Sequence, residues 1–427
     1  MEGDKKHVVI IGGGFAGINM IKYLDKTRFD ITLIDRHNFH SFPPLFYQIA
    51  SSGLDSGSIS FPFRREIRKM KHVRFHMGEV KSVDTIAKTV TTQFETINYD
   101  YLIIAAGTTN NFFGMNDLRD KVYTLKSVAE AIRLRNEILD RLERASITKD
   151  PERKRQLLSF VVIGAGPTGV EVAGAIGEMK RYILPREYPD IDKNDLKILI
   201  VEGSDRILRT MSDHASRHAY EYLGHLMVDV KLNTTMTGYD NNIVKFANGE
   251  EVYCETLIWT AGITGEPISG FEKDIYGPGN RFIVDHFNRV IGHSDIFAVG
   301  DIAFLKDDLY PRGYPQLAQV AIQQSRCLCE NLNVGTFSKK FSYNDKGSMA
   351  TVGRNRAVAD LHHLHLYGRP AWVTWMFVHL ISILGMRNKL TVLINWIWAY
   401  CTYSTSLRLL IRPTKYPYRK HWDLAKE

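Results

Sequence analysis

A chain of 427 residues exceeds one ordinary hydrophobic core, so two or three domains are expected. Hydrophobic residues at 44% against 24% charged describe a globular protein and exclude a disordered one. The formal charge of +8 suits anionic lipid, an anionic cofactor or nucleic acid, but no run of five basic residues and no zinc-finger or RNA-binding motif occurs, which sets nucleic acid aside.

The N-terminal stretch MEGDKKHVVIIGGG runs straight into a strand and lacks the apolar core of a secretory signal. HVVII (7–11) reads as a buried parallel strand, and apolar positions at helical spacing follow from Ala16 to Leu24. A second strand, ITLI (31–34), ends in Asp35. After a charged helix over 126–146 and an exposed linker over 147–158, the same order returns as SFVVI (159–163), glycines, a helical stretch, and KILIV (197–201) ending in Glu202. One βαβ unit is thus duplicated within the chain. A Gly/Pro-rich stretch at 264–280 marks the exit from the second copy.

Beyond 346 two apolar, aromatic-rich runs, 372–384 and 390–402, flank Gly385, Arg387, Asn388 and Lys389. Each is short of the about 20 apolar residues that span a bilayer, so helices lying in the membrane interface are expected. Arg408, Arg412, Lys415, Arg419 and Lys420 would then meet acidic headgroups. A hairpin buried in a dimer interface or core is the alternative. Cys254, Cys327, Cys329 and Cys401 form no CxxC, which suits a reduced intracellular setting and a catalytic body in the cytoplasm.

The chemistry is carried by two glycine loops. Gly12-Gly13-Gly14-Phe15-Ala16-Gly17 follows a strand, with Gly12 for the tight turn, Gly14 for approach of a pyrophosphate and Gly17 for close helix packing. Asp35 at the second strand's end would accept hydrogen bonds from a ribose. Gly164-Ala165-Gly166-Pro167-Thr168-Gly169 repeats the pattern with Glu202 as its acid. A carboxylate there favours a ribose 2′-hydroxyl over a 2′-phosphate, hence NADH over NADPH, although Arg206 lies four residues on. Two loops imply two dinucleotides, most economically a tightly bound flavin and a nicotinamide that comes and goes.

With these loops the chain resembles the two-dinucleotide-binding flavoprotein oxidoreductases. YLIIAAGTT (101–109), with Ala106 and Gly107, looks like that family's turn against FAD, and LIWTAGI (257–263), with Gly262, like its counterpart in the nicotinamide unit. IFAVGDIA (296–303) resembles the flavin motif, in which Gly300 and Asp301 meet the ribityl region. Disulfide reductases and sulfide–quinone reductases need cysteines beside the flavin, and HSFPPLFYQIA (40–50) has none. Cys327 and Cys329 match no family dithiol and read as buried structural residues.

FHSFPPLFYQIASSGL (39–54), AQVAIQQ (318–324) and the C-terminal 368–400 are similar to type II NADH:quinone oxidoreductases. The resemblance implies an α/β fold of two Rossmann-like units, for FAD and NADH, plus a C-terminal helical membrane-associating region. The expected division is 1–115 and 271–345 for FAD, 116–270 for NADH, and 346–427 for membrane association and dimerisation. It implies hydride transfer from nicotinamide C4 to flavin N5, then two electrons to quinone beside Ala318, Gln319 and Gln323, without proton pumping. The Gln amides would bond a quinone carbonyl. Glu171 would organise hydride transfer or relay protons; Glu178 reads ambiguously, between such a role and a plain helix-surface acid, and Lys389 as a snorkelling cation, with a hydrogen bond to quinone as the alternative. His362, His363 and His365 read as an exposed strand face and no metal site is expected. A homodimer, peripheral on the cytoplasmic face of the inner membrane, completes the expectation. A reductase of a soluble protein carrier and a flavin-based redox sensor are the rivals.

Overall fold

The computed structural model describes residues 5–362, 364–402 and 407–411. Its first sheet has five parallel strands in the order Ile296–Ala298, Tyr101–Ile104, Lys6–Ile11, Phe29–Asp35 and Val73–Met77. Both faces are covered, which is why HVVII is continuously apolar. Val8 and Ile10 pack with Ile18, Ile21 and Leu328 beneath the helices Phe15–Tyr23 and Ala318–Val334. Val9 and Ile11 pack on the other side with Val83 and Val90 of a small antiparallel sheet.

The second sheet repeats this plan with four parallel strands, Asp229–Lys231, Lys197–Val201, Ser159–Ile163 and Thr256–Trp259. Phe160 and Val162 pack with Val170 and Ala173 of the helix Pro167–Glu178, and Val161 and Ile163 with Val244 and Phe246 of a second antiparallel sheet. The chain then returns to the first sheet at Ile296–Ala298.

The exposed linker expected over 147–158 is largely a helix, Pro151–Leu157. Asp150 caps it by accepting from the Glu152 N–H, and Pro151 takes the first helical position. Arg153 pairs with Glu255 of the second unit, and Leu157 and Leu158 are buried. The preceding helix, Val128–Ile147, starts at Ser127, whose hydroxyl accepts from the Glu130 N–H.

A three-stranded antiparallel sheet, Ser348–Thr351, Ala357–Leu361 and Leu364–Tyr367, leads into two helices, Gly368–Ser382 and Met386–Thr402. Gly385, at φ +79°, makes the turn between them and lies against the Phe61 ring. Ala371, Trp375 and Val392 face the body and are buried. Phe377, Ile381, Ile394 and Ile397 lie on the outside, each more than half exposed. Among the described residues no helix is long and apolar enough to cross a membrane.

Candidate functional site

Gly12 and Gly164 both hold positive φ, +97° and +98°. A β-carbon on Gly12 would stand 2.4 Å from the Ala105 carbonyl oxygen, and one on Gly164 would stand 2.6 Å from the Ala261 Cα. The turn after the fourth strand of each sheet in chain order, Tyr101–Ile104 or Thr256–Trp259, therefore presses on the loop after the first, bringing Ala106 and Gly107 to one loop and Gly262 to the other. Gly17 and Gly169 close the two turns, each with its β-position 1.9 Å from the carbonyl oxygen of Gly12 or Gly164. In contrast, nothing lies within 4 Å of a β-carbon built on Gly14 or Gly166.

The helices that follow start without a side-chain cap and without an acid in their first turns. Their leading N–H groups, at Phe15, Ala16 and Gly17 and at Thr168 and Gly169, are left for an external acceptor. An open glycine edge beside uncapped amides fits a diphosphate in each loop.

The strand-end acids are matched as closely. Asp35 accepts from the Gly13 N–H at 2.6 Å and the His37 N–H at 2.7 Å. Glu202 accepts from the Ala165 N–H at 2.8 Å and from the N–H and hydroxyl of Ser204, both at 2.9 Å. Each carboxylate braces its own glycine loop and keeps lone pairs for a ribose. Burial raises the Asp35 carboxyl while the His37 and Gly13 N–H groups lower it. Arg206 is turned to Asp213 and to the Arg209 carbonyl.

A third uncapped helix, Ala318–Val334, meets the first loop. Gly300, at φ +78°, sits between Ala16 and Ala321, whose β-carbons would lie 3.4 and 3.1 Å from its own. Its N–H donates to the buried Gln324 side chain at 2.7 Å. Next to it Asp301 is raised by burial and lowered by Lys126 and Arg281, while Lys126 donates to Thr108 at 3.1 Å. Gly12, Asp35, Gly107, Gly300 and Asp301 thus converge on one cleft, a fit for FAD.

Four residues of this cleft escaped the sequence reading. His40 is 4% exposed, bonds the Gly13 carbonyl at 2.9 Å, and meets Phe15 edge-on. Burial pushes its imidazole down to about 4, so it is neutral. Gln324 closes the stretch AQVAIQQ but was assigned no role there, and Lys126 and Arg281 belong to no local motif; only their approach in three dimensions marks them.

Glu171 lies in the second turn of the helix Pro167–Glu178, 8% exposed. Burial raises its carboxyl to about 8, against a lowering by the Thr351 N–H, 3.4 Å away. The Thr351 hydroxyl bonds the Tyr47 hydroxyl at 2.9 Å, Gln48 donates to Tyr47 at 2.9 Å, and Trp396 donates to Gln48 at 2.8 Å. A line of polar groups therefore runs from beside Glu171 to the second C-terminal helix.

Gln319 and Gln323 lie at the other end of the strand Ser348–Thr351. Gln319 donates to the Gly347 carbonyl and accepts from the Lys346 N–H, at 3.0 and 3.1 Å. Gln323 pairs in the same way with both backbone groups of Asn344, at 2.9 and 3.0 Å. Each amide already binds backbone at both ends, so these residues fasten the segment 344–347 to the helix. The expected bond to a quinone carbonyl would have to share or displace one of these.

The remaining sequence candidates fall elsewhere. Glu178 is not a surface acid: it is part-buried, accepts from the Arg354 N–H, and is raised by burial to about 7. Lys389 donates to the Ile381 carbonyl at 2.5 Å, at the end of the preceding helix. Cys327 and Cys329 are buried and point to different partners, the Lys339 carbonyl and Met20. His365 pairs with Asp360 at 2.7 Å, and His363 lies outside the described residues. Arg408 pairs with Glu187; Arg412, Lys415, Arg419 and Lys420 lie outside the described residues.

Comparison with known proteins matches residues 6–325 to the family Pyridine nucleotide-disulphide oxidoreductase and residues 346–402 to the NDH2 C-terminal domain. A type II NADH:quinone oxidoreductase of Mycobacterium tuberculosis is 34% identical over 417 residues, covering 92% of this chain and 87% of its own. A second such protein of that organism is 33% identical, with the same coverage of both chains. Among solved structures, NDH2 from Plasmodium falciparum in complex with NADH superposes with a TM-score of 0.88 at 23% identity, over 96% of this chain and 100% of that one.

Proposed function

The chain belongs to the type II NADH:quinone oxidoreductases, within the pyridine nucleotide-disulphide oxidoreductase family, and from that membership we propose how its residues divide the work. The enzyme is non-proton-pumping; its bound FAD supplies the redox chemistry, taking hydride from NADH and giving two electrons to quinone. The first loop, Gly12, Gly14, Phe15, Ala16 and Gly17, holds the FAD diphosphate on uncapped N–H groups, with Asp35 on the ribose. Ala106, Gly107, Gly300 and Asp301 close on the rest of it. The second loop, Gly164, Gly166, Thr168 and Gly169, holds NADH, with Glu202 on its ribose and Gly262 at its inner edge.

Quinone is received beside Ala318, where Gln319 and Gln323 fix the wall. Glu171, protonated at neutral pH by virtue of its burial, holds a proton for the acceptor side. The outer faces of the C-terminal helices rest on a lipid surface, on the cytoplasmic side of the inner membrane, and the same region supports a homodimer. The division into 1–115, 116–270, 271–345 and 346–427 is supported by the return of the chain to the first sheet at Ile296–Ala298.

The observation that carries the residue assignment is one loop geometry built twice, with the uncapped helix Ala318–Val334 touching the first copy. The test is steady-state oxidation of NADH, and separately NADPH, by detergent-solubilised protein with a short-chain quinone. Turnover that requires quinone and prefers NADH is expected. Flavin reduction by NADH without quinone turnover would overturn the quinone site and point to a protein acceptor.

A further inference from the structure

Away from both glycine loops, a cleft of about 430 Å³ opens where the turn 354–356, the helix Asp213–His225 and the start of the helix Gly368–Ser382 meet. Arg354, Arg356 and Arg369 line it. Among the described lining residues Glu178 is the one carboxylate, and it accepts the Arg354 N–H, which leaves Arg356 and Arg369 as the cations turned to an incoming anion. The Arg356 guanidinium lies over the Tyr222 ring, 5.1 Å from its centre, which fixes its plane. The helix that begins at Gly368 has no side-chain cap and no acid in its first turn, so its positive end adds to the field.

The cleft is joined to the C-terminal hairpin. Arg354 donates to the Ala399 carbonyl on the second helix, and Trp372 stacks on Tyr400 at 5.8 Å across the pair. Val373 and Phe377, one and two turns along from Arg369, are 55% and 64% exposed. An anion seated in the cleft therefore lies beside an uncovered apolar face, the arrangement of a headgroup above acyl chains.

We propose that this cleft binds the phosphate of an anionic phospholipid headgroup, held by the guanidiniums of Arg356 and Arg369. A guanidinium pair offers the forked donors that a phosphate accepts. A choline-bearing headgroup would bring its own cation into this field and is disfavoured. The assignment rests on the reading of the hairpin's outer faces as a lipid surface.

The experiment is vesicle flotation of the full-length, FAD-loaded protein, with phosphatidylcholine alone and with an equal mixture of phosphatidylcholine and phosphatidylglycerol. Wild type is compared with the double variants Arg356→Gln, Arg369→Gln and Arg356→Lys, Arg369→Lys. Flavin reduction by NADH and the thermal midpoint serve as controls of folding. The Gln pair is expected to bind neutral vesicles as wild type does, but to lose about fivefold per arginine from the gain on anionic vesicles. The Lys pair, which keeps charge and loses the fork, should recover part of it. Retention of the full gain by the Gln pair would overturn the site. Inorganic phosphate supplies the other arm: if it raises the thermal midpoint of wild type and not of the Gln pair, while anionic vesicles bring no gain, the cleft takes free phosphate and the lipid assignment falls. Failure to float with either vesicle sinks the lipid-surface reading itself, a result distinct from neutral binding with an unaltered anionic gain.

Discussion

Gly14 and Gly166 stand at equivalent places in their loops, and both have ordinary negative φ, −67° and −70°. Alanine can adopt either conformation, and its methyl would meet no protein atom within 4 Å. Only a ligand approaching the backbone would meet it. Gly14→Ala is therefore expected to keep the thermal midpoint of the apoprotein and to bind FAD more than tenfold less tightly by flavin fluorescence. Gly166→Ala should keep FAD and raise KM for NADH. An unfolded Gly14→Ala apoprotein would show that the protein, not the dinucleotide, needs that space. Glu171 makes a second test at this scale. With its carboxyl raised to about 8, it carries a proton at pH 7 and loses it as pH rises through 8. Quinone reduction should decline over that range, and Glu171→Gln should abolish the decline together with most of the rate, leaving flavin reduction by NADH in place. The glycines and strand-end acids were readable because a motif of six residues between a strand and a helix carries its own geometry. His40, Gln324 and the Thr351–Tyr47 contact were not, since each joins residues that only the folded chain brings together.

At the scale of elements, the amides of Gln319 and Gln323 explain more as fasteners than as isolated ligands. Together they hold four backbone groups, on Asn344, Lys346 and Gly347, against the helix Ala318–Val334. Gln319→Ala should release that segment, lowering quinone turnover by at least about tenfold, a rise of about 1.4 kcal/mol in the barrier. NADH reduction of the flavin in stopped flow should be unchanged; equal loss of both steps would remove the residue from the quinone side. The hairpin gives another test. Phe377→Asp with Ile394→Asp puts two charges on its outer faces, where both side chains are more than half exposed, and should abolish flotation with vesicles while sparing NADH oxidation in detergent. The sequence marked these helices by apolar runs of the right length. It misread 147–158, because a charged surface helix has no apolar period and its start signal, Asp150-Pro151, resembles a turn.

Across the whole molecule, buried titratable groups oppose one another. Burial lowers His40 and His379 from 6.5 to about 4, so each is neutral in the fold and protonates first in the unfolded chain. Stability from the pair is present above pH 6.5 and is lost as pH falls toward 4. Burial raises Glu171 to about 8 and Glu178 to about 7 from 4.5, so these bind protons first in the fold. Their contribution is present below pH 4.5 and is lost as pH rises through 7 and 8. Between pH 4.5 and 6.5 the two pairs cancel, and the wild-type thermal midpoint should be nearly flat there. The double variant Glu171→Gln, Glu178→Gln removes one side of the balance, and its midpoint should fall on acidification through that window. A flat profile in the double variant would show that the histidines do not titrate as their surroundings dictate.

The closing strand of the first sheet has a consequence for how the protein is made. Leu102 waits for Ile296 as its hydrogen-bonded neighbour, whereas every strand of the second sheet has been synthesised by Trp259. On the ribosome, the nicotinamide half can finish folding while the flavin half still lacks an edge, the turn at Gly300 and the helix that leans on it. Flavin capture is then a late event, made by a nascent chain whose centre is already native and whose two ends have yet to meet.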